Sequence, residues 1–126
     1  MRIAMCLTTR SEPQMHEICL AQLEKVRPVL VLTREYALRK LTKWTVAPIT
    51  STIRGISSEV PIGPQNGIDH PSVISLDNIM TIDVSQIGKT LGFLTPEQEV
   101  QLTTALIKTF ELVTDDPYTQ IPLRAI

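Results

Sequence analysis

The sequence predicts a mainly β domain, in which six or seven short strands form a small, partly closed barrel and one α-helix follows them. Three observations support this prediction. The 126 residues are enough for one domain with a buried core. Short aliphatic segments rich in Val and Ile alternate with turns rich in Gly and Pro. A single capped helical segment follows the last of them, which completes a pattern typical of small barrels.

Three strands are predicted in the first half of the chain, at residues 16–23, 29–32 and 43–50. The second is the uninterrupted aliphatic run Val29-Leu30-Val31-Leu32, which has the length of a strand. The third contains Pro48, which has no amide hydrogen to donate to a ladder and therefore predicts a sheet edge or a bulge. Trp44 is interpreted as a core residue.

Four further strands are predicted at residues 59–62, 72–76, 79–82 and 89–94. The helix is predicted to start at Thr95, which is a good N-cap, with Pro96 in the first helical position and Gln98 completing a capping box. Apolar residues at helical spacing, beginning with Leu102 and Ala105, indicate a face that packs on the core. The Asp-Asp-Pro segment at residues 115–117 is expected to end the helix.

The folded domain is expected to span residues 15–113. Residues 1–14 show no periodic pattern, and we expect them to be a loose tail or an over-called start. Residues 114–126 are expected to form a C-terminal arm.

Charge divides the chain into two unlike parts, although the net charge is only −1. Residues 1–54 contain nine Lys and Arg against four Asp and Glu, whereas residues 55–126 contain three against nine. This asymmetry is consistent with one polyanion-facing surface on an otherwise acidic domain. A random scatter of surface charge explains the numbers equally well.

Cysteine content and hydropathy predict a cytosolic protein. The two cysteines, Cys6 and Cys19, form no CxxC pair, and a small secreted domain usually has more. The apolar run after Arg2 has five residues, shorter than the roughly 7–15 of a secretory signal. No segment approaches the ~18 apolar residues of a membrane span.

Several kinds of catalytic site find little support in the sequence. Cys6, His16, Cys19 and His70 do not have the spacing of a standard zinc site. His16 and His70 remain an alternative pair for acid–base cleavage of RNA, although each is more typical of a surface histidine. There is no GxSxG nucleophile motif, no GxGxxG and no P-loop.

Three motifs follow one another along the chain: Arg27-Pro28-Val29-Leu30-Val31-Leu32, then Val46-Ala47-Pro48-Ile49-Thr50-Ser51, then the segment from Ser72 to Asp83. They resemble the RPVLV strand, the V-P-I-T-S strand and the xVxLDQIxTID hairpin of the MazF/PemK family of toxin–antitoxin ribonucleases. The resemblance covers residues 15–112 and implies an SH3-like barrel with a C-terminal helix.

The sequence departs from the family pattern in three places. The usual RGDIW opening is replaced by residues 16–20, and the long glycine-rich loop after it is reduced to Glu24-Lys25-Val26. In the family this loop helps to cover RNA, so a changed substrate path is expected. Asn78 stands where the family usually has Gln.

The resemblance implies that Arg27 and Thr50 are the catalytic residues. The implied reaction is attack of a ribose 2′-hydroxyl on the adjacent phosphorus, which gives a 2′,3′-cyclic phosphate and a 5′-hydroxyl without a metal or other cofactor. A guanidinium suits this reaction because it can bind two oxygens of the negatively charged transition state. Thr50 would donate one further hydrogen bond.

Other residues are expected to bind RNA. Lys25, Arg34 and Arg54 would neutralise RNA phosphates near the catalytic pair. Ser51, which follows Thr50, would contact the RNA backbone. Asp77 and Asn78, in the turn between two strands, would read base edges of splayed single-stranded RNA.

The family resemblance also implies partners: single-stranded RNA, a second copy of the chain in a homodimer, and a cognate antitoxin. The RNA class, whether messenger, transfer or ribosomal, is left open. Two other functions on a related fold remain as alternatives. One is a CcdB-like toxin that poisons gyrase, and the other is a barrel that binds RNA without cleaving it.

Overall fold

A computed structural model describes residues 15–113. The predicted tail at residues 1–14 and the predicted arm at residues 114–126 lie outside the described residues. The described part contains seven strands and one α-helix: β1 (Glu17–Gln22), β2 (Val26–Val31), β3 (Lys43–Thr50), β4 (Glu59–Ile62), β5 (Ser72–Ser75), β6 (Met80–Asp83), β7 (Ile87–Phe93) and α1 (Pro96–Phe110).

The strands form one curled antiparallel sheet in the order β4-β5-β3-β2-β1-β7, and β6 pairs with β3. β4 and β7 end this order, so no ladder closes the sheet within residues 15–113. α1 packs against β4. The predicted mainly β, partly closed barrel with a C-terminal helix is therefore confirmed.

β3 is the central strand, and the sheet forks along its outer side. Its first half pairs with β6 up to Val46, and its last two residues, Ile49 and Thr50, pair with β5. Pro48 lies between these partners and faces Val29 of β2. β3 is not an edge strand, but its outer side is unpaired at residue 48, so the expectation of an edge holds locally. Neither β5 nor β6 pairs with residue 48, so the missing amide hydrogen costs little at the fork.

Both faces of the sheet bury hydrophobic side chains. On β2, Leu30 belongs to the core under α1, whereas Val29 and Val31 belong to a second core on the other face, because successive strand residues alternate. Burial on both faces explains the uninterrupted aliphatic run. The interpretation of Trp44 as a core residue is confirmed: it lies in the second core, where its Nε1–H donates to the Leu38 carbonyl at 3.1 Å.

α1 starts at the predicted cap. Thr95 Oγ1 accepts the Gln98 amide at 3.2 Å, and Gln98 Oε1 accepts the Thr95 amide at 2.9 Å. The helix ends at Phe110, so the expectation that residues 115–117 end it is wrong. Glu111 adopts a left-handed conformation with φ 54°, and the Leu112 amide closes the end on the Ile107 carbonyl. α1 is too short and too polar to cross a membrane, and no other helix among the described residues could do so.

One strand boundary matters for the functional site. β2 begins at Val26 rather than at residue 29, because the tight connection after β1 pairs Val26 with Gln22. Arg27 is thus held within the β1–β2 ladder, where it pairs with Ala21.

Candidate functional site

Arg27 and Thr50 are brought together by the register of β2 and β3. The observed pairs are Val29 with Pro48 and Leu30 with Ala47. This ladder ends at Val29 and Pro48, and Arg27 and Thr50 lie two residues beyond it on the two strands, at the same end of the ladder. Both residues also line the same two surface grooves.

The two grooves meet at this pair. The first has a volume of about 450 Å³ and is bordered by residues of the β3–β4 loop and of the 3₁₀ turn Leu76–Asn78; we call it the Asp77 groove. The second has a volume of about 430 Å³ and runs past the β1–β2 connection towards Asp69 and His70; we call it the His70 groove. An extended chain that passes over Arg27 and Thr50 can therefore occupy space on both sides of them.

The Arg27 guanidinium is paired with a carboxylate in the Asp77 groove. Its Nε donates to Glu24 Oε2 at 2.9 Å, and Arg27 is half-buried while Glu24 is exposed. A hydrogen bond to the backbone of Glu24 is the main reason that the pKa of its carboxyl lies below the usual range. The hydrogen bond and the charge of the Arg27 guanidinium lower this pKa further. Glu24 is therefore an anion at neutral pH and orients Arg27 in the groove.

The Thr50 hydroxyl is oriented by the backbone that follows it. Thr50 Oγ1 accepts the Thr52 amide at 3.1 Å. Because a hydroxyl has one donor and two acceptor sites, the Thr50 O–H remains available to donate into either groove.

Glu59 organises the loop that forms one wall of the Asp77 groove. Its Oε1 accepts the Arg54 amide at 3.1 Å and the Gly55 amide at 2.9 Å. Gly55 has φ 74°, in the left-handed region where a side chain is disfavoured. No motif in the sequence pointed to Glu59, since its role depends on a turn that brings two amides back to it.

The opposite wall carries Asp77 and Asn78, whose side chains are already partly engaged. Buried Ser58 donates its hydroxyl to Asp77 Oδ2 at 2.5 Å. Asn78 Nδ2 donates to Ser75 Oγ at 2.8 Å. These bonds fix both side chains while Asp77 Oδ1 and Asn78 Oδ1 remain available as acceptors on the groove wall.

The family described as PemK-like, MazF-like toxin of type II toxin–antitoxin systems matches residues 8–110. The chain belongs to this family. A curated relative, Endoribonuclease MazF3 of Mycobacterium tuberculosis, is 49% identical over 98 residues, which are 78% of this chain and 95% of the relative.

Solved structures agree with this assignment. The Mycobacterium tuberculosis toxin MazF-mt6 is 48% identical and superposes with a TM-score of 0.76, over 78% of this chain and 99% of that one. An endoribonuclease from a mycobacterial species, solved in complex with its cognate antitoxin, is 25% identical with a TM-score of 0.71, over 82% of this chain and 99% of that one.

Most of the residues predicted to bind RNA in this MazF-like chain line the two grooves. Arg54, Asp77 and Asn78 line the Asp77 groove, and Lys25 and Ser51 line the His70 groove. Arg34 was expected near the predicted catalytic pair, but it lies away from it. It follows β2 at the end opposite to Arg27. It lines neither groove and contacts Tyr36 instead.

The structure separates the two histidines of the alternative acid–base pair. His70 lines the His70 groove, whereas His16 Nδ1 lies 2.9 Å from Glu99 Oε1 on α1 and lines neither groove. Among residues 15–113, no group of three or more His, Cys, Asp or Glu side chains is arranged to hold a metal ion.

Proposed function

We propose that this MazF-like chain is an endoribonuclease toxin that cleaves single-stranded RNA in the cytosol and is neutralised by a cognate antitoxin. The observation that carries the proposal is that Arg27 and Thr50 both line the two grooves, at the place where the grooves meet. Membership of the toxin family and the likeness to endoribonucleases support it.

The proposed reaction needs no metal and no external water in its first step. The ribose 2′-oxygen attacks the adjacent phosphorus and forms a P–O2′ bond, while the P–O5′ bond breaks. The 2′-hydroxyl loses its proton and the departing 5′-oxygen gains one, so the products are a 2′,3′-cyclic phosphate and a 5′-hydroxyl. Negative charge increases on the non-bridging oxygens in the transition state.

Arg27 is proposed to stabilise that charge. Among the described residues its side chain bonds only to Glu24, through Nε, so both Nη groups are available for the two non-bridging oxygens. A preorganised donor of this kind commonly contributes about 3–4 kcal/mol to transition-state stabilisation. A guanidinium carries five N–H donors and no acceptor, so we assign Arg27 charge stabilisation and not the role of a base.

Thr50 is proposed to donate a hydrogen bond to the same phosphate. Its Oγ1 already accepts the Thr52 amide, which holds the hydroxyl in place, and the hydroxyl hydrogen is available to donate. A fixed donor beside Arg27 would hold the phosphate so that the 2′-oxygen and the 5′-oxygen lie in line with phosphorus.

The remaining groove residues are proposed to bind the strand on either side of the cleaved bond. Lys25 and Arg54 would neutralise phosphates, and Ser51 would contact the backbone beside them. Asp77 and Asn78 offer acceptors for the amino or imino hydrogens on the edge of an unstacked base. The antitoxin would occupy the same grooves, and we propose a homodimer as the active form.

Incubation of the purified protein with cellular RNA in excess EDTA tests the proposed function. We expect discrete fragments whose 3′ ends carry a 2′,3′-cyclic phosphate and whose 5′ ends carry a hydroxyl. A Lys108→Ala variant, which removes a charge on α1, serves as the control and should cleave normally. Intact RNA, or fragments with 5′-phosphates, would reject the proposal.

A further inference from the structure

A second basic surface lies outside both grooves, where the chain passes from β2 to β3. It consists of the exposed side chains of Arg34, Tyr36, Arg39 and Lys40, and we call it the Tyr36 patch. From Arg27 to Val31, β2 extends by about 13 Å at the usual strand rise, and the patch follows the far end of that strand. It is therefore a surface distinct from the one that carries Arg27 and Thr50.

An exposed aromatic ring lies beside two cations in this patch. The Arg34 guanidinium carbon is 5.2 Å and the Lys40 Nζ is 5.8 Å from the centroid of the Tyr36 ring, and 58% of Tyr36 is exposed. A hydrogen bond from Arg34 and the charges of Arg34 and Lys40 lower the pKa of the Tyr36 hydroxyl. The local field is therefore positive.

The backbone beneath the patch is fixed by the protein itself. The Ala37 amide donates to the Arg34 carbonyl at 3.0 Å, and the Lys40 amide donates to the Ala37 carbonyl at 3.0 Å. Ala37 and Leu38 are buried, and Leu38 accepts the Trp44 indole hydrogen bond in the second core. Because the turn is already ordered, little entropy is lost when a ligand binds to it.

The patch segment contains three cations and one acid, Glu35. Within residues 15–113, Arg34, Arg39 and Lys40 form no ion pair, whereas nearby Lys43 is paired with Asp83 at 2.7 Å. In the described part of the chain, the patch thus combines an excess of positive charge with an exposed π surface.

We propose that the Tyr36 patch is a second RNA-binding site, which holds an unpaired stretch of the substrate away from the cleaved bond. Its cations would contact phosphates, and a base would stack on the Tyr36 ring or on the Arg34 guanidinium plane. An acidic peptide would use the charges but not the ring, so the aromatic component favours RNA. This inference rests on the proposed function and adds a site that determines how well long RNA is bound.

Fluorescence anisotropy with a labelled 2′-O-methyl oligouridylate of about 25 nucleotides, in EDTA, tests the patch. We expect the triple variant Arg34→Ala, Tyr36→Ala, Lys40→Ala to weaken binding about 10-fold. The slope of log affinity against log salt should become shallower by about 1.4, as for two lost phosphate contacts. Tyr36→Phe keeps the ring and should bind as the wild type does.

The double variant Lys89→Ala, Lys108→Ala removes two exposed charges elsewhere and should bind the same RNA normally. Unchanged affinity of the triple variant, or an equal loss in the Lys89 and Lys108 control, would overturn the proposal. So would polyglutamate that binds the wild type as tightly as the RNA does. The probe has no 2′-hydroxyl and cannot be cleaved, so it reports binding alone. If the wild type binds the probe through the patch but leaves natural RNA intact, only the ribonuclease proposal is rejected.

Discussion

The Glu59 carboxylate holds the main chain of Arg54, whose amide donates to Glu59 Oε1 at 3.1 Å. Glu59 is the first residue of β4 and pairs with Ser75 of β5, so this contact ties the β3–β4 loop to the sheet. The loop carries Arg54 on one wall of the Asp77 groove. The position of a proposed phosphate-binding side chain therefore depends on a carboxylate that holds the backbone of its loop.

Glu59→Ala should release this loop and reduce cleavage without unfolding the protein. We expect kcat/KM on a mapped RNA site to fall about 10-fold, mostly through KM, because Arg54 loses its orientation. The free energy of unfolding should fall by only about 1–2 kcal/mol, because the two amides that lose Glu59 are exposed and can bond to water instead. The control Glu97→Ala, in the exposed first turn of α1, should leave kcat/KM unchanged, and an unchanged kcat/KM for Glu59→Ala would refute the positioning role.

Glu24→Gln should strengthen RNA binding, because it removes a negative charge beside the proposed phosphate site. We expect KM to fall about 3-fold, while the stability of the fold should not change measurably, because an exposed ion pair contributes little to it. Steady-state kinetics on the same RNA provides the measurement. A rise in KM would mean that the ion pair with Arg27 supports binding.

The effect of Glu24→Gln should also depend on pH in a defined direction. The pKa of Glu24 lies below its usual value of 4.5, so the carboxylate is ionised throughout the neutral range. The ratio of the KM values of the wild type and Glu24→Gln should therefore be constant from about pH 5.5 to pH 8. The two KM values should approach each other only as the pH falls through the lowered pKa of Glu24 and its carboxylate takes up a proton.

Gln98→Ala should be the most destabilising polar substitution in α1. Gln98 caps the helix and exchanges two hydrogen bonds with buried Asn66, at 2.7 and 3.0 Å. Without Gln98, Asn66 Nδ2 still donates to the Phe93 carbonyl and Asn66 Oδ1 still accepts the Gly63 amide, but the second Nδ2 hydrogen is buried without an acceptor. Together with the lost cap, this should lower the free energy of unfolding by about 2–4 kcal/mol. Urea denaturation measures this, and the exposed Gln101→Ala in the same helix should change it by less than about 0.5 kcal/mol.

Gly92→Ala should prevent normal folding, while Gly88→Ala on the same strand should be tolerated. A Cβ at Gly92 would lie 2.3 Å from the Asn66 carbonyl oxygen, whereas at Gly88 the nearest atom is 3.5 Å away. Backbone atoms cannot move aside as a flexible side chain can. Soluble yield and thermal unfolding of the two variants compare them directly, and equal stability would contradict the close packing of β7 on Asn66.

The strands and the helix start were predictable because their signals are local. The aliphatic run of β2 and the Thr95–Gln98 capping box each depend on neighbouring residues. The role of Pro48 was not predictable, because a fork in the sheet depends on which strands pair with β3. The helix end was mispredicted because Glu111, which carries no terminating signal of its own, adopts the left-handed conformation.

The candidate site divides in the same way. Arg27 and Thr50 were suggested by a family resemblance, and only the fold brings them to the same two grooves. Glu59 and Ser58 were missed because their contacts form only in the fold. A turn brings the Gly55 amide to Glu59, and the pairing of β4 with β5 brings Asp77 to Ser58. Arg34 was placed wrongly because seven residues along a strand and its turn carry it away from Arg27.

The single-turnover cleavage rate of Arg27→Ala, relative to wild type and in EDTA, tests the central claim most directly. If Arg27 stabilises the phosphorane-like transition state, the rate should fall about 100- to 1,000-fold while the RNA still binds. Lys25→Ala, which removes a charge only two residues away, should lower the rate less than about 10-fold. A rate for Arg27→Ala within a few-fold of wild type would contradict the account.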